Sequence, residues 1–104
     1  MTKKPKIVKE EDLIKRKDGL YYKKYARVPF TGAAKDFYEN GQLKGSDNYK
    51  EGEKHGPSES YYENRQVRWK ENFKNGKLHG LCEYFDEDGK LTKTESWENG
   101  KLVK

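Results

Sequence analysis

Residues Tyr38-Glu39-Asn40-Gly41-Gln42-Leu43 return 24 positions later as Tyr62-Glu63-Asn64-Arg65-Gln66-Val67, and once more as Asp86-Glu87-Asp88-Gly89-Lys90-Leu91. An ungapped repeat of this length admits few folds. Each unit has to be one small supersecondary element that buries its apolar face against its neighbours, and about three units are the fewest that hold together. The register extends well beyond the six residues. Gly32, Gly56 and Gly80 share a column, as do Phe37, Tyr61 and Phe85; Leu43, Val67 and Leu91; and Tyr49, Phe73 and Trp97. Gly52, Gly76 and Gly100 close the units, each after a turn-forming Glu51, Asn75 or Asn99.

Two turn signals per unit leave room for two strands, so each unit reads as a β-hairpin. Asn40-Gly41 and Asp88-Gly89 suit a two-residue type I′ turn, which needs positive φ at both central residues. Arg65 breaks that pattern and shifts the left-handed burden to Asn64. A two-residue turn sets the register: Tyr38 opposite Leu43 and Gly32 opposite Tyr49, with Gly56 opposite Phe73 and Gly80 opposite Trp97 in the later units. A ring lying over a strand glycine covers exposed backbone, which gives the glycine column a reason to recur. Strand parity then places Tyr38, Leu43 and Tyr49 on one face, with Tyr62, Val67, Trp69 and Phe73, and with Tyr84 and Trp97 in the third unit. Lys44, Ser46, Asn48 and Lys50 lie on the opposite, solvated face, where Lys44 and Arg68 stand opposite Phe37 and Tyr61.

A hairpin repeat worded Phe30-Thr31-Gly32, then Tyr-x-Asn-Gly-x-Leu and Tyr-Lys-x-Gly, resembles the MORN repeat, and in particular its bacterial variant, that of the YwqK-type antitoxins of toxin–antitoxin systems. The resemblance spans about residues 13–102. It implies an all-β fold of antiparallel hairpins in an elongated, curved, single-layer meander of about eight strands. It also implies a non-catalytic partner-binding role, with a toxin as the specific partner. The motif has no catalytic residues to carry over.

The expected organisation is a basic flexible arm over residues 1–12, with Ile7 and Val8 as its anchors, then a repeat domain over 13–104. That domain comprises a cap hairpin at 13–31 and units at about 32–55, 56–79 and 80–104. Hydrophobic content is only 31% against 39% charged, so regularly placed aromatics have to supply the burial. Residues 1–24 hold nine Lys/Arg against four Asp/Glu, whereas the remainder holds fourteen of each, so the net charge of +5 belongs to the leading segment. No apolar run reaches the length of a membrane span or a signal-peptide core, and the single Cys82 suits a reducing compartment. The localisation expected is cytoplasmic.

His55 and His79 occupy one slot in successive units, two strands or about 9–10 Å apart, with no thiolate or carboxylate set to complete a zinc site. They read as turn residues, and Cys82 with His79 lacks an orienting third group for nucleophilic catalysis. Asp47, Glu71 and Glu95 form an acidic column on the aromatic face. The structural reading pairs them with neighbouring donors, and the alternative makes them the carboxylates of a small carbohydrate-acting enzyme. No catalytic, cofactor or metal residue is assigned. The candidate partner-binding residues are Tyr38, Tyr49, Tyr62, Arg65, Trp69, Phe73, Tyr84 and Trp97, with Trp69 foremost because Gly45 and Lys93 hold its column in the other units. A protein partner is expected first. Anionic lipid or nucleic acid, reached through the basic arm and the aromatic face, is the alternative. Arg65, Trp69 and Asp86, where the repeat departs from itself, mark the second and third units as the place of specific function.

Overall fold

The computed structural model describes residues 7–104. It is all-β apart from one 3-10 turn at Glu10–Asp12. The strands are β1 (Ile7–Lys9), β2 (Leu13–Lys15), β3 (Tyr21–Lys23), β4 (Gly32–Phe37), β5 (Leu43–Lys50), β6 (Glu53–Tyr61), β7 (Val67–Lys74), β8 (Lys77–Leu78), β9 (Gly80–Phe85), β10 (Leu91–Glu98) and β11 (Lys101–Leu102). Nine form one open sheet in the order β1-β4-β5-β6-β7-β9-β10-β11, with β8 also paired to β7, and β2–β3 is a separate hairpin. Every pairing from β4 onward is antiparallel, so the repeat does build a meander of hairpins. The extents are 42 × 37 × 32 Å, a slight elongation that reflects how few units stack.

The glycine–aromatic register holds: Gly32 faces Tyr49, Gly56 faces Phe73 and Gly80 faces Trp97. The route to it differs from the expected two-residue turn. Gly41 N–H donates to the Tyr38 carbonyl (2.9 Å) and Tyr38 N–H to that of Gln42 (2.8 Å), which closes a three-residue loop with only Gly41 left-handed (φ +88°). This is the type I turn with a terminal left-handed residue that commonly joins strands through a bulge. The same bonds recur at Tyr62–Gln66 and Asp86–Lys90. In the middle unit Arg65, not Asn64, takes the left-handed position (φ +75°). Pairing then passes from Phe37–Leu43 to Asp36–Gly45, so Lys44 is an extra, bulged residue; Arg68 and Thr92 repeat it. Loop and bulge each shift the register by one, and the shifts cancel beyond the bulge.

Between loop and bulge they do not cancel. Leu43, Val67 and Leu91 therefore share the face of Phe37, Tyr61 and Phe85, not that of Tyr49. The bulge also brings Lys44 over the Tyr38 ring (5.7 Å) and Arg68 over that of Tyr62 (6.0 Å), in place of Phe37 and Tyr61. The glycine column has a backbone cause as well. Gly56 and Gly80 sit at φ +94° and +100°, and among the described residues a Cβ there would meet only Asn48 or Asn72 Cβ on the far face, at 3.9 and 3.7 Å, not the opposing ring.

The type I′ turns lie between units, at Glu51-Gly52, Asn75-Gly76 and Asn99-Gly100, with φ near 50° and then above 80°. Each staples the array: Gly52 N–H donates to Phe30 O, Gly76 to Lys54 O and Gly100 to Leu78 O, at 2.8–2.9 Å. The histidine slot belongs to the same joint. His79 Nδ1 accepts from Asn99 N–H (3.2 Å) and His55 Nδ1 from Asn75 N–H (3.5 Å), while Thr31 Oγ1 plays that part for Glu51 N–H (2.9 Å).

Residues 1–6 of the expected arm lie outside the described residues. Residues 7–12 are strand and turn rather than arm: Ile7 and Val8 pair in parallel with Ala33 and Ala34 of β4. The pairing carries Val8 and the 3-10 turn onto the sheet face that bears Tyr49, here termed the inner face. There Phe30, Ala34 and Tyr49 are buried, with Val8, Leu13 and Tyr21 packed around them. The Tyr21 and Phe30 rings meet Tyr49 at 5.1 and 6.1 Å. Burying rings of this size stabilises by roughly 1.5–3 kcal/mol each, which makes this cluster the anchor of the fold. No α-helix long and apolar enough to cross a membrane occurs among the described residues.

Candidate functional site

Side chains on opposed residues share a face, so the register orders the inner face into rows. One row runs Ala34, Asp47, Ser58, Glu71, Cys82, Glu95. Its small members Ala34, Ser58 and Cys82 are at most 1% exposed and alternate with the three carboxylates. A second row contains Gly45, Ser60, Trp69, Tyr84 and Lys93, and a third contains Tyr49, Phe73 and Trp97. Aromatic rows thus flank the acidic one.

Each carboxylate has neighbours on this face. Asp47 accepts from the Ser58 hydroxyl and pairs with Lys54 Nζ (3.8 Å). Glu71 accepts from Tyr84 OH (2.9 Å). Glu95 accepts from Trp97 Nε1–H (3.3 Å) and pairs with Lys93 Nζ (3.6 Å). These contacts match the structural reading of the column, and burial with the Glu71 bond pushes the Tyr84 hydroxyl well up. Burial, with Glu71 and Glu95 nearby, also raises the Cys82 thiol, which is consistent with an inert cysteine. Among the described residues no His, Cys, Asp and Glu grouping is arranged to hold a metal ion.

The structure divides the candidate residues. Tyr49 is core, 4% exposed. Tyr38 and Tyr62 are half-buried ties between units: Tyr38 OH donates to Tyr61 O (2.6 Å) and Tyr62 OH to Phe85 O (2.8 Å). In the third unit Asp86 fills their slot and instead accepts locally from Asp88 and Lys90 N–H (2.9 and 3.0 Å). Arg65 is exposed at a loop tip beside a hollow of about 420 Å³ that Tyr61 and Leu43 also line. Trp69, Phe73, Tyr84 and Trp97 come together, all half-buried, on the inner face of the second and third units. The N-terminal cover packs over the first unit, and Glu10 lines a hollow of about 210 Å³ together with Asp36, Asp47, Ser60 and Trp69.

Two features escaped sequence reasoning. Phe37, Leu43, Tyr61, Val67, Phe85 and Leu91 form an apolar strip on the outer face, with Phe37 and Leu91 44% and 51% exposed. The parity shift at the bulge hid it. Glu10 is the second: burial and the adjacent Asp47 carboxylate push it up to about 8. Nothing in a Glu-Glu-Asp run signals that its first member packs onto a sheet.

Residues 30–51 and 78–99 match the family model described as MORN repeat variant, and the unit carrying Arg65 and Trp69 lies between the two matched segments. Neither a curated protein nor a solved structure matches the chain. The matched segments begin two repeat units apart, in the register that the sheet shows, so two of the three hairpins are similar to MORN repeat variants.

Proposed function

We propose that the chain is a non-catalytic binding module whose inner face, over the second and third units, docks a protein partner. The observation that carries this reading is the incomplete cover. The N-terminal segment, with its own Phe30, buries Tyr49 of the first unit but leaves Trp69, Phe73, Tyr84 and Trp97 half-buried on the same face. Tryptophan and tyrosine beside fixed polar groups are the residues that most often anchor interfaces. The mechanism is occlusion: the face covers the partner's functional surface. The similarity to MORN repeat variants supports a binding role, since such repeats commonly bind proteins or membranes. A toxin is the specific partner that the YwqK-type resemblance implies, and Cys82 as a free thiol suits a cytoplasmic setting.

Affinity capture from the source cell tests the reading. Capture of one protein by wild type and by Lys70→Ala, an outer-face change, and its loss on combined Trp69→Ala and Trp97→Ala supports it. Capture unchanged by the tryptophan pair sinks it. Co-expression with the protein encoded by the adjacent gene tests the toxin form, which fails if growth is not rescued.

A second reading, an anionic lipid or nucleic-acid ligand, has its own observation. A groove of about 800 Å³ beside β1 is lined by Lys9, Lys23, Lys24 and Lys35 against Glu11 and Asp12, with exposed Ile7, Ile14 and Phe37. Sedimentation with phosphatidylserine vesicles and binding to an oligonucleotide, each repeated with Lys23 and Lys24 changed to Ala, tests it; binding that survives the change rules out this groove.

A further inference from the structure

The open inner face has a specific chemistry beyond its aromatic area. On β7, Glu71 stands between Trp69 and Phe73; one strand further, Cys82 is buried, and beyond it Glu95 stands on β10 with Trp97. Tyr84 and Trp97 hydrogen-bond to these two carboxylates, so two acids are held in fixed positions within a frame of four rings. A carboxylate bounded by aromatic faces is the usual complement of an ammonium or guanidinium group, because ring quadrupole and ionised oxygen attract the same charge. The face already receives such groups intramolecularly. Lys54 Nζ lies 5.0 Å from the Phe73 centroid and Lys93 Nζ 4.5 Å from that of Tyr84. Those lysines also pair with Asp47 and Glu95. Glu71 is left with the Tyr84 hydroxyl alone, and no ion pair reaches it among the described residues. An ionised carboxylate accepts several hydrogen bonds, so Glu71 has acceptor capacity beyond its bond from Tyr84.

Resting on the proposed protein-binding role, we propose that the partner segment docked here is basic, and that it inserts an arginine or lysine side chain over Glu71 between Trp69 and Phe73. Arginine is the better fit, since its planar fork bonds a carboxylate while stacking on a ring. The site is specific in sign: the net charge of +5 belongs to residues 1–24, so over the balanced repeat units a basic ligand meets no net repulsion and is drawn to the local acidic patch.

Trp69 and Trp97 are the chain's two tryptophans, so emission excited selectively at tryptophan, clear of the eight tyrosines, reports on this face. The experiment titrates the full chain with an acetylated, amidated hexa-arginine peptide and with its hexa-citrulline counterpart, which keeps the shape and loses the charge. The expected result is a saturable change in tryptophan emission with hexa-arginine only, weakened about tenfold or more by Glu71→Gln through loss of a charge-assisted hydrogen bond. Glu83→Gln, which removes an outer-face carboxylate opposite Lys70, leaves the titration unchanged. Equal responses to arginine and citrulline, or equal weakening by Glu83→Gln and Glu71→Gln, overturn the proposal. Capture of the cellular partner separates it from the broader reading. Loss on Trp69→Ala but not on Glu71→Gln rejects the basic segment and keeps the face, whereas retention in both variants rejects the face as well.

Discussion

The seating of the N-terminal hairpin on the first inter-unit turn gives the sharpest stability prediction. Gly52 and Gly41 have nearly the same backbone, φ +84° and +88°, and opposite surroundings. A Cβ on Gly41 meets nothing within 4 Å among the described residues, while one on Gly52 would lie 2.8 Å from both Leu20 Cβ and Pro29 Cβ and 3.2 Å from Tyr21 N. Those neighbours are not free to retreat, because Tyr21 N–H donates to Gly52 O (2.9 Å) and Gly52 N–H to Phe30 O (2.8 Å). Alanine at a left-handed position costs about 1–2 kcal/mol, partly offset by about 0.4–1 kcal/mol from a stiffer unfolded chain, so Gly41→Ala loses about 1 kcal/mol. Gly52→Ala bears the same cost plus about 1–3 kcal/mol of overpacking. Urea unfolding followed by circular dichroism, with unchanged denaturant slopes, reads the difference directly. Equal losses for the two variants would refute the seating of the hairpin on this turn and with it the explanation of the buried cluster at Tyr49.

Arg65→Gly relieves a left-handed arginine at an exposed loop tip and is expected to stabilise by roughly 0.5–1 kcal/mol, raising Tm by a few degrees; a lower Tm contradicts the loop assignment. Tyr62→Phe removes the bond to Phe85 O and is expected to cost about 1 kcal/mol in urea unfolding, whereas no loss would mean the units are not tied at that carbonyl. Glu10 gives a pH dependence. Its folded value, up to about 8, exceeds its unfolded one, so the folded state binds more protons and stability is lost as pH rises from the ordinary carboxyl range through that value. Glu10→Gln, in a thermal-melt series, should therefore gain little over wild type in acid and progressively more as pH climbs, levelling off above the folded value; a pH-independent gain rejects a half-buried acid facing Asp47, Asp36, Lys54 and Tyr49.

The legibility of the fold followed the range of the interactions. Pairings within a hairpin, such as Gly80 with Trp97, were readable because period-two alternation and turn spacing are local. They survived a wrong turn type only because loop and bulge shift the register in opposite senses. Leu43 and Val67, trapped between the two, went to the wrong face for the same reason. The aromatic frame of Trp69, Phe73, Tyr84 and Trp97 was legible from parity alone. The Tyr38 and Tyr62 ties were not, since a hydroxyl reaching a carbonyl 23 residues away leaves no periodic trace. Nor was the cover over the first unit: β1 is three residues long and pairs in parallel, and neither property produces a pattern that a sequence window detects.

The inner-face assignment is tested most directly by photo-crosslinking in the source cell from two adjacent residues of β7 that point to opposite sides, Trp69 inward and Lys70 outward. With a benzophenone side chain at each position in turn, position 69 should give one discrete cross-linked protein and position 70 none. A cross-link from 70 and not from 69, or from Leu91 in the outer apolar strip alone, would place the partner on the other face and contradict the account.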